Sequence, residues 1–123
     1  MIGSLIVENA KLAGVDLRLD EKDLNLVRKK MASRDYEMTT GAWGQDPSLD
    51  DPYQNWHTDN DVPSGGNRFG FGNDKSDALI EKIRSRVTPD ERTELYKELQ
   101  QMIYDEQPCI FILAPKSPFI RRR

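Results

Sequence analysis

Cysteine and histidine are nearly absent, with one residue of each. A single cysteine excludes an intrachain disulfide. Cys109 sits in the apolar run Cys109-Ile110-Phe111-Ile112-Leu113, where a small buried residue is the plainer role than a reactive thiol. One histidine makes a zinc site hard to assemble. His57 with Asp59 and Asp61 is the only constellation that would support a metal-dependent hydrolase. The loop aspartates Asp46, Asp50, Asp51, Asp59 and Asp61 do not follow the alternation of a calcium loop. A hydrogen bond within the loop is the plainer role for His57, and no metal or other cofactor is expected. No apolar run is long enough to span a bilayer. Nucleophile elbow, P-loop and dinucleotide fingerprint are all missing. The glycine-rich stretch Gly65-Gly66-Asn67-Arg68-Phe69-Gly70-Phe71-Gly72 lacks the Lys-Ser/Thr ending of a phosphate loop and reads as a turn-rich connection. With a net charge of −3 nothing global attracts nucleic acid, and the basic residues Lys116, Arg121, Arg122 and Arg123 read as a solvated end. No signal peptide is apparent, since Met1-Ile2-Gly3 leads directly into a helical pattern.

What is present is the composition of a soluble globular domain, 37% hydrophobic and 32% charged. Helical spacing of Leu5, Ile6, Ala10 and Ala13 predicts a helix over 2–13, stopped by Gly14. Val15, Leu17 and Leu19 alternate with polar residues, as in a half-buried strand over 15–19. Leu24, Val27 and Met31 predict a helix over 22–32, and 36–41 reads as a second strand. Strand, helix, strand with short links is a β-α-β unit with parallel strands. Leu79, Ile80 and Ile83 predict a helix over 74–86. Thr88-Pro89-Asp90-Glu91 is a capping box that starts a helix running to about 106, with Leu95, Leu99, Met102 and Ile103 buried. The apolar run 109–114 reads as a strand covered on both faces, and Phe119 with Ile120 as a short final one. The expected fold is α/β, a small, mainly parallel sheet with flanking helices.

Between these patterns lies a long segment, 42–73, which holds both tryptophans and most of the glycines. Loops of this length are functional or disordered, and the interleaved Trp43, Tyr53, Trp56, Phe69 and Phe71 argue for order. Trp43-Gly44-Gln45-Asp46-Pro47 would follow a parallel strand directly, where open α/β sheets bind ligands. Trp43 would offer an apolar wall, Gly44 close backbone approach, and Asp46 a carboxylate for an ammonium group. Equally, Trp43 could be core and Asp46-Pro47 a plain turn.

Several short stretches, in order, resemble the C-terminal part of the family 5 extracellular solute-binding proteins, which bind dipeptides, oligopeptides or nickel complexes. They are Leu12-Ala13-Gly14-Val15-Asp16-Leu17, Tyr36 to Gly41 running into Trp43-Gly44-Gln45-Asp46-Pro47, Asp50-Asp51-Pro52-Tyr53, Trp56-His57-Thr58-Asp59, Gly66-Asn67, Phe71-Gly72-Asn73, Asp77-Ala78-Leu79-Ile80, Arg92 to Lys97, and Gln107-Pro108. The resemblance implies part of one lobe of a periplasmic-binding-protein type II fold. Residues 1–123 then form a single piece, divided into a helix plus β-α-β unit (1–41), a long ligand-side loop (42–73), and a helix pair with a final strand (74–123). It implies a binding protein rather than an enzyme, with a peptide or other small solute as ligand and the membrane permease of an ABC importer as partner. It also implies an extracytoplasmic location, with the targeting segment missing through truncation. Trp43 and Gly44 would lie along a bound peptide, and Asp46 would receive its α-amino group. A missing lobe would expose apolar surface and favour self-association of the piece. A purely structural or partner-binding role is the remaining alternative.

Overall fold

The computed structural model describes residues 2–44 and 51–114. They form five helices: α1 (Ile2–Leu12), α2 (Leu24–Ser33), α3 (Tyr53–Trp56), α4 (Asp74–Arg84) and α5 (Pro89–Glu106), with a 3₁₀ turn at Thr58–Asn60 after α3. The chain divides into two compact units, Met1–Met38 and Thr39–Arg123.

In the first unit each helix is ended by its own backbone. Gly14 takes a positive φ of 80°, which lets Val15 N–H reach Ala10 O at 2.9 Å and Gly14 N–H reach Lys11 O at 3.1 Å, a Schellman motif. The same motif closes α2, with Arg34 at φ 56° and Asp35 N–H on Lys30 O at 3.0 Å. Lys30 Nζ also holds the Asp35 carboxylate at 2.7 Å. Asp23 caps the start of α2 by accepting from Asn25 N–H. No described side chain of this unit is buried, so these helices rest on local hydrogen bonds and partial packing, such as Leu19 lying against Gly3.

The second unit carries the core: Phe71, Leu79, Ile80, Ile83, Leu95, Leu99 and Ile103, flanked by Tyr53, Trp56, Phe69, Val87, Tyr96 and Met102. α4 and α5 supply six of these seven buried side chains, at the three- and four-residue spacing of one helical face. The start of α4 is fixed by a capping box in which Asn73 accepts from the N–H groups of Lys75 and Ser76, while Ser76 Oγ accepts from Asn73 N–H at 2.9 Å.

The start of α5 is the box expected from the sequence: Thr88 caps, Pro89 stands first, and Glu91 Oε2 accepts from both the N–H and the Oγ of Thr88 at 2.9 Å. Those bonds, the backbone one foremost, hold the Glu91 carboxyl below its ordinary value. A carboxyl whose folded value is depressed contributes stability that is complete above its unfolded value and is lost as pH falls through the folded one. The stability gap between the native chain and Glu91→Gln should therefore be constant at neutral pH and close as pH falls below the ordinary value of 4.5. Urea denaturation across that range measures it, and a gap that persists into acid would show that the box does not depend on an ionised carboxylate.

The α/β expectation is overturned. Among the described residues there is no strand and no sheet. Residues 15–19 and 109–114 carry the apolar pattern of strands without a paired neighbour, and a bend at Glu37-Met38 interrupts the expected strand 36–41. Alternation records which side chains would share a face; a strand also needs another backbone to take its N–H and C=O groups. Among the described residues none is aligned with these segments, and Val15, Leu19, Met38 and Ile110 to Leu113 are exposed rather than covered. With no β-α-β unit, the expected lobe of a parallel-sheet fold is also not what these residues form. The expected short strand at Phe119-Ile120 lies outside the described residues.

Candidate functional site

The segment 51–73 has little regular structure, yet it is tightly bonded. Asp51 Oδ1 accepts from Tyr53 N–H at 3.0 Å and opens α3. Arg84 Nε reaches the same carboxylate at 3.4 Å while its guanidinium lies 4.2 Å above the Tyr53 ring, tying α3 to the end of α4. Asp77 of α4 accepts from both Thr58 N–H, at 3.1 Å, and the Thr58 hydroxyl. Asn67 is fully buried. Its Nδ2 donates to the carbonyls of His57 (3.2 Å) and Phe71 (2.7 Å), and its Oδ1 accepts from Phe71 N–H (3.3 Å). One side-chain amide thus ties the end of the glycine-rich stretch to the His57 backbone.

His57 is buried, and its ring lies 4.4 Å from that of Tyr53. Nδ1 accepts from Asp59 N–H at 3.1 Å, so a neutral ring carries its proton on Nε2, which is 3.8 Å from Glu81 Oε1. The carboxylates of Asp59 and Asp77 stand 3.7 and 3.8 Å from Nδ1. Asp59 is itself engaged by the Tyr53 hydroxyl at 2.8 Å, a bond that pushes the phenol above its ordinary value. Among the described residues no group of three or more His, Cys, Asp or Glu side chains is arranged to hold a metal. Cys109 is half-buried, and burial pushes its thiol up, away from the reactive thiolate.

Trp43 belongs to a cluster of aromatic rings that sequence reading did not assemble. Trp56 and Phe69 stack at 5.2 Å with planes 22° apart. Trp56 also meets Phe71 of the core edge-on at 5.5 Å. Trp43 stands edge-on to Phe69 at 5.5 Å and to Trp56 at 6.3 Å, and Phe111 approaches Trp43 at 6.3 Å. Trp43 and Phe111 keep 43% and 60% of their surface exposed, so the cluster ends in a water-facing aromatic ledge. Beside it, apart from its chain neighbours, no atom of the described residues lies within 4 Å of where a Cβ on Gly44 would be. Of the three expected ligand residues, Trp43 and Gly44 are thus adjacent, accessible and backed by rigid rings; Asp46 lies outside the described residues. Phe69 and Phe111 were missed because nothing in their local spacing links them to Trp43. An open surface depression lined by Lys82, Leu95 and charged residues of α5 shares no residue with the cluster. No described helix is long and apolar enough to cross a membrane.

An aromatic ledge beside open backbone is a surface that can take an extended, partly apolar solute. Two curated proteins that are similar to this chain are named for binding peptides. The oligopeptide-binding protein OppA of Bacillus subtilis (strain 168) is 29% identical over 98 residues, covering 80% of this chain and 18% of OppA. The probable D,D-dipeptide-binding periplasmic protein DdpA of Escherichia coli (strain K12) is 22% identical over 102 residues, covering 80% of this chain and 19% of DdpA. The chain therefore spans less than a fifth of the length of these relatives. Both are named as binding proteins, not enzymes. No protein-family model and no solved structure matches the chain.

Proposed function

We propose that this chain works as part of a peptide-binding protein that serves an ABC importer outside the cytoplasmic membrane, handing its ligand to the membrane permease. The observation that carries this reading is the similarity, over four-fifths of the chain, to two proteins both named as peptide binders. The exposed Trp43 edge and the open space at Gly44 support it, since a peptide needs an apolar wall and room for its backbone. In this reading Trp43 is the wall, Gly44 admits the peptide backbone, and the Asp46 carboxylate receives the α-amino group. An ammonium and a carboxylate paired away from water attract more strongly than on an open surface, and removing one partner strands the other.

Calorimetry on the intact protein with short peptides tests the assignment. Asp46→Asn should weaken binding of free-amino peptides by about tenfold or more. N-acetylated peptides should bind the native protein poorly and be insensitive to the substitution. Unchanged affinity of Asp46→Asn for free-amino peptides would remove the anchor and favour a solute without an ammonium group.

A further inference from the structure

Trp43 lies on residues 39–44, which form neither helix nor strand, and nearly half of its surface faces water. A side chain so placed has little in its own segment to choose one rotamer. The rings around it make the choice. Phe69 is the nearest, 5.5 Å away with the two planes 61° apart, the geometry in which the positive edge of one ring meets the negative face of another. Phe69 is in turn held by its stack on Trp56, and Trp56 by its edge contact with the buried Phe71. A continuous path of ring contacts therefore runs from the core to the exposed indole, with Phe69 as its closest link and Trp56 and Phe111 meeting the indole from farther away, at 6.3 Å.

We infer that Phe69 is a positioning residue for Trp43, presetting the indole so that a bound solute does not have to order it. This rests on the reading of Trp43 as a ligand wall. It gives the glycine-rich stretch 65–72 a purpose beyond connection: Asn67, two residues before Phe69, fixes the backbone from which that ring projects. Trp56 is the poorer place to test the idea, because it packs directly against the buried Phe71 and its loss would disturb the core.

The test uses the intact protein labelled with 5-fluorotryptophan, the Trp43 resonance being the one lost in Trp43→Phe. Phe69→Leu should move and narrow that resonance, as expected for a freed ring, and weaken peptide binding by about tenfold, because the indole must then be immobilised on binding. Phe69→Tyr keeps the ring and should restore both. Ile80→Val, a change in the core, should lower the melting temperature while leaving resonance and affinity in place. If Phe69→Leu does not fold, Phe69→Met, whose unbranched chain fills irregular gaps, takes its place. An affinity in Phe69→Leu equal to that of the native protein overturns the inference, as does a Trp43 resonance that moves equally in Ile80→Val. If the native protein takes up no peptide, it is the proposed function that fails; the resonance then decides alone, and an unmoved one overturns the positioning as well.

Discussion

Replacing Gly66 with alanine should destabilise the second unit by about 3 kcal/mol, lowering its melting temperature by roughly 15 °C. A Cβ at this position would stand 2.4 Å from the carbonyl oxygen of Gln54 and 3.1 Å from its carbon. Both are backbone atoms of α3, so relief requires moving a helix whose end is bonded to Arg84 and Asp59 through Tyr53. Rotating a flexible side chain aside would not be enough. Gly65 is equally confined, its Cβ falling 2.0 Å from Asn60 O. Gly44→Ala is the matched control, since beyond its chain neighbours no described atom lies within 4 Å of its Cβ. Thermal melting of the three proteins reads the effect. A Gly66→Ala protein that melts with the native one would mean that α3 is free to shift, and that the aromatic ledge lacks a fixed base.

Ile80→Ala should cost about 4 kcal/mol, near the upper end for a fully enclosed aliphatic side chain, because the loss includes both the transfer of the missing carbons and the void they leave. Ile80 has no exposed surface, and among the described residues it belongs to a core of seven buried apolar side chains that enclose it. Leu12→Ala, at a side chain 87% exposed, should change stability by no more than about 0.5 kcal/mol. Urea titration of both variants distinguishes a packed α4–α5 pair from a loosely collapsed one. Comparable small losses at the two positions would show that this core is not packed as described.

The helices were legible where the sequence writes their ends. Thr88, Pro89 and Glu91 announce the start of α5, and Gly14 the stop after α1, because capping is settled by residues within one turn of each other. Leu79, Ile80, Ile83, Leu95, Leu99 and Ile103 were legible as core because helical spacing puts them on one face. The strands were misread for the opposite reason. Pairing is a relation between distant backbones, and the alternation of Val15, Leu17 and Leu19 carries no information about a partner. Within the described part of 42–73, α3 and the 3₁₀ turn are too short to leave a periodic signal. The ring cluster joins Trp43, Trp56, Phe69 and Phe111 across long stretches of chain, a grouping that only the folded backbone creates.

Asn67 has a consequence for how this segment tolerates changes of length. Its amide is matched at once to a carbonyl ten residues earlier and to both backbone groups of a residue four later. An extra residue between Asn67 and Phe71 would carry both Phe71 groups out of register together, as a slip does in a strand pair, while the bond to the His57 carbonyl stays in place. The stretch from 61 to 64, exposed throughout and away from these bonds, could lengthen far more freely. The segment is thus elastic on one side of Asn67 and rigidly measured on the other, and it is the measured side that carries the ring on which Trp43 leans.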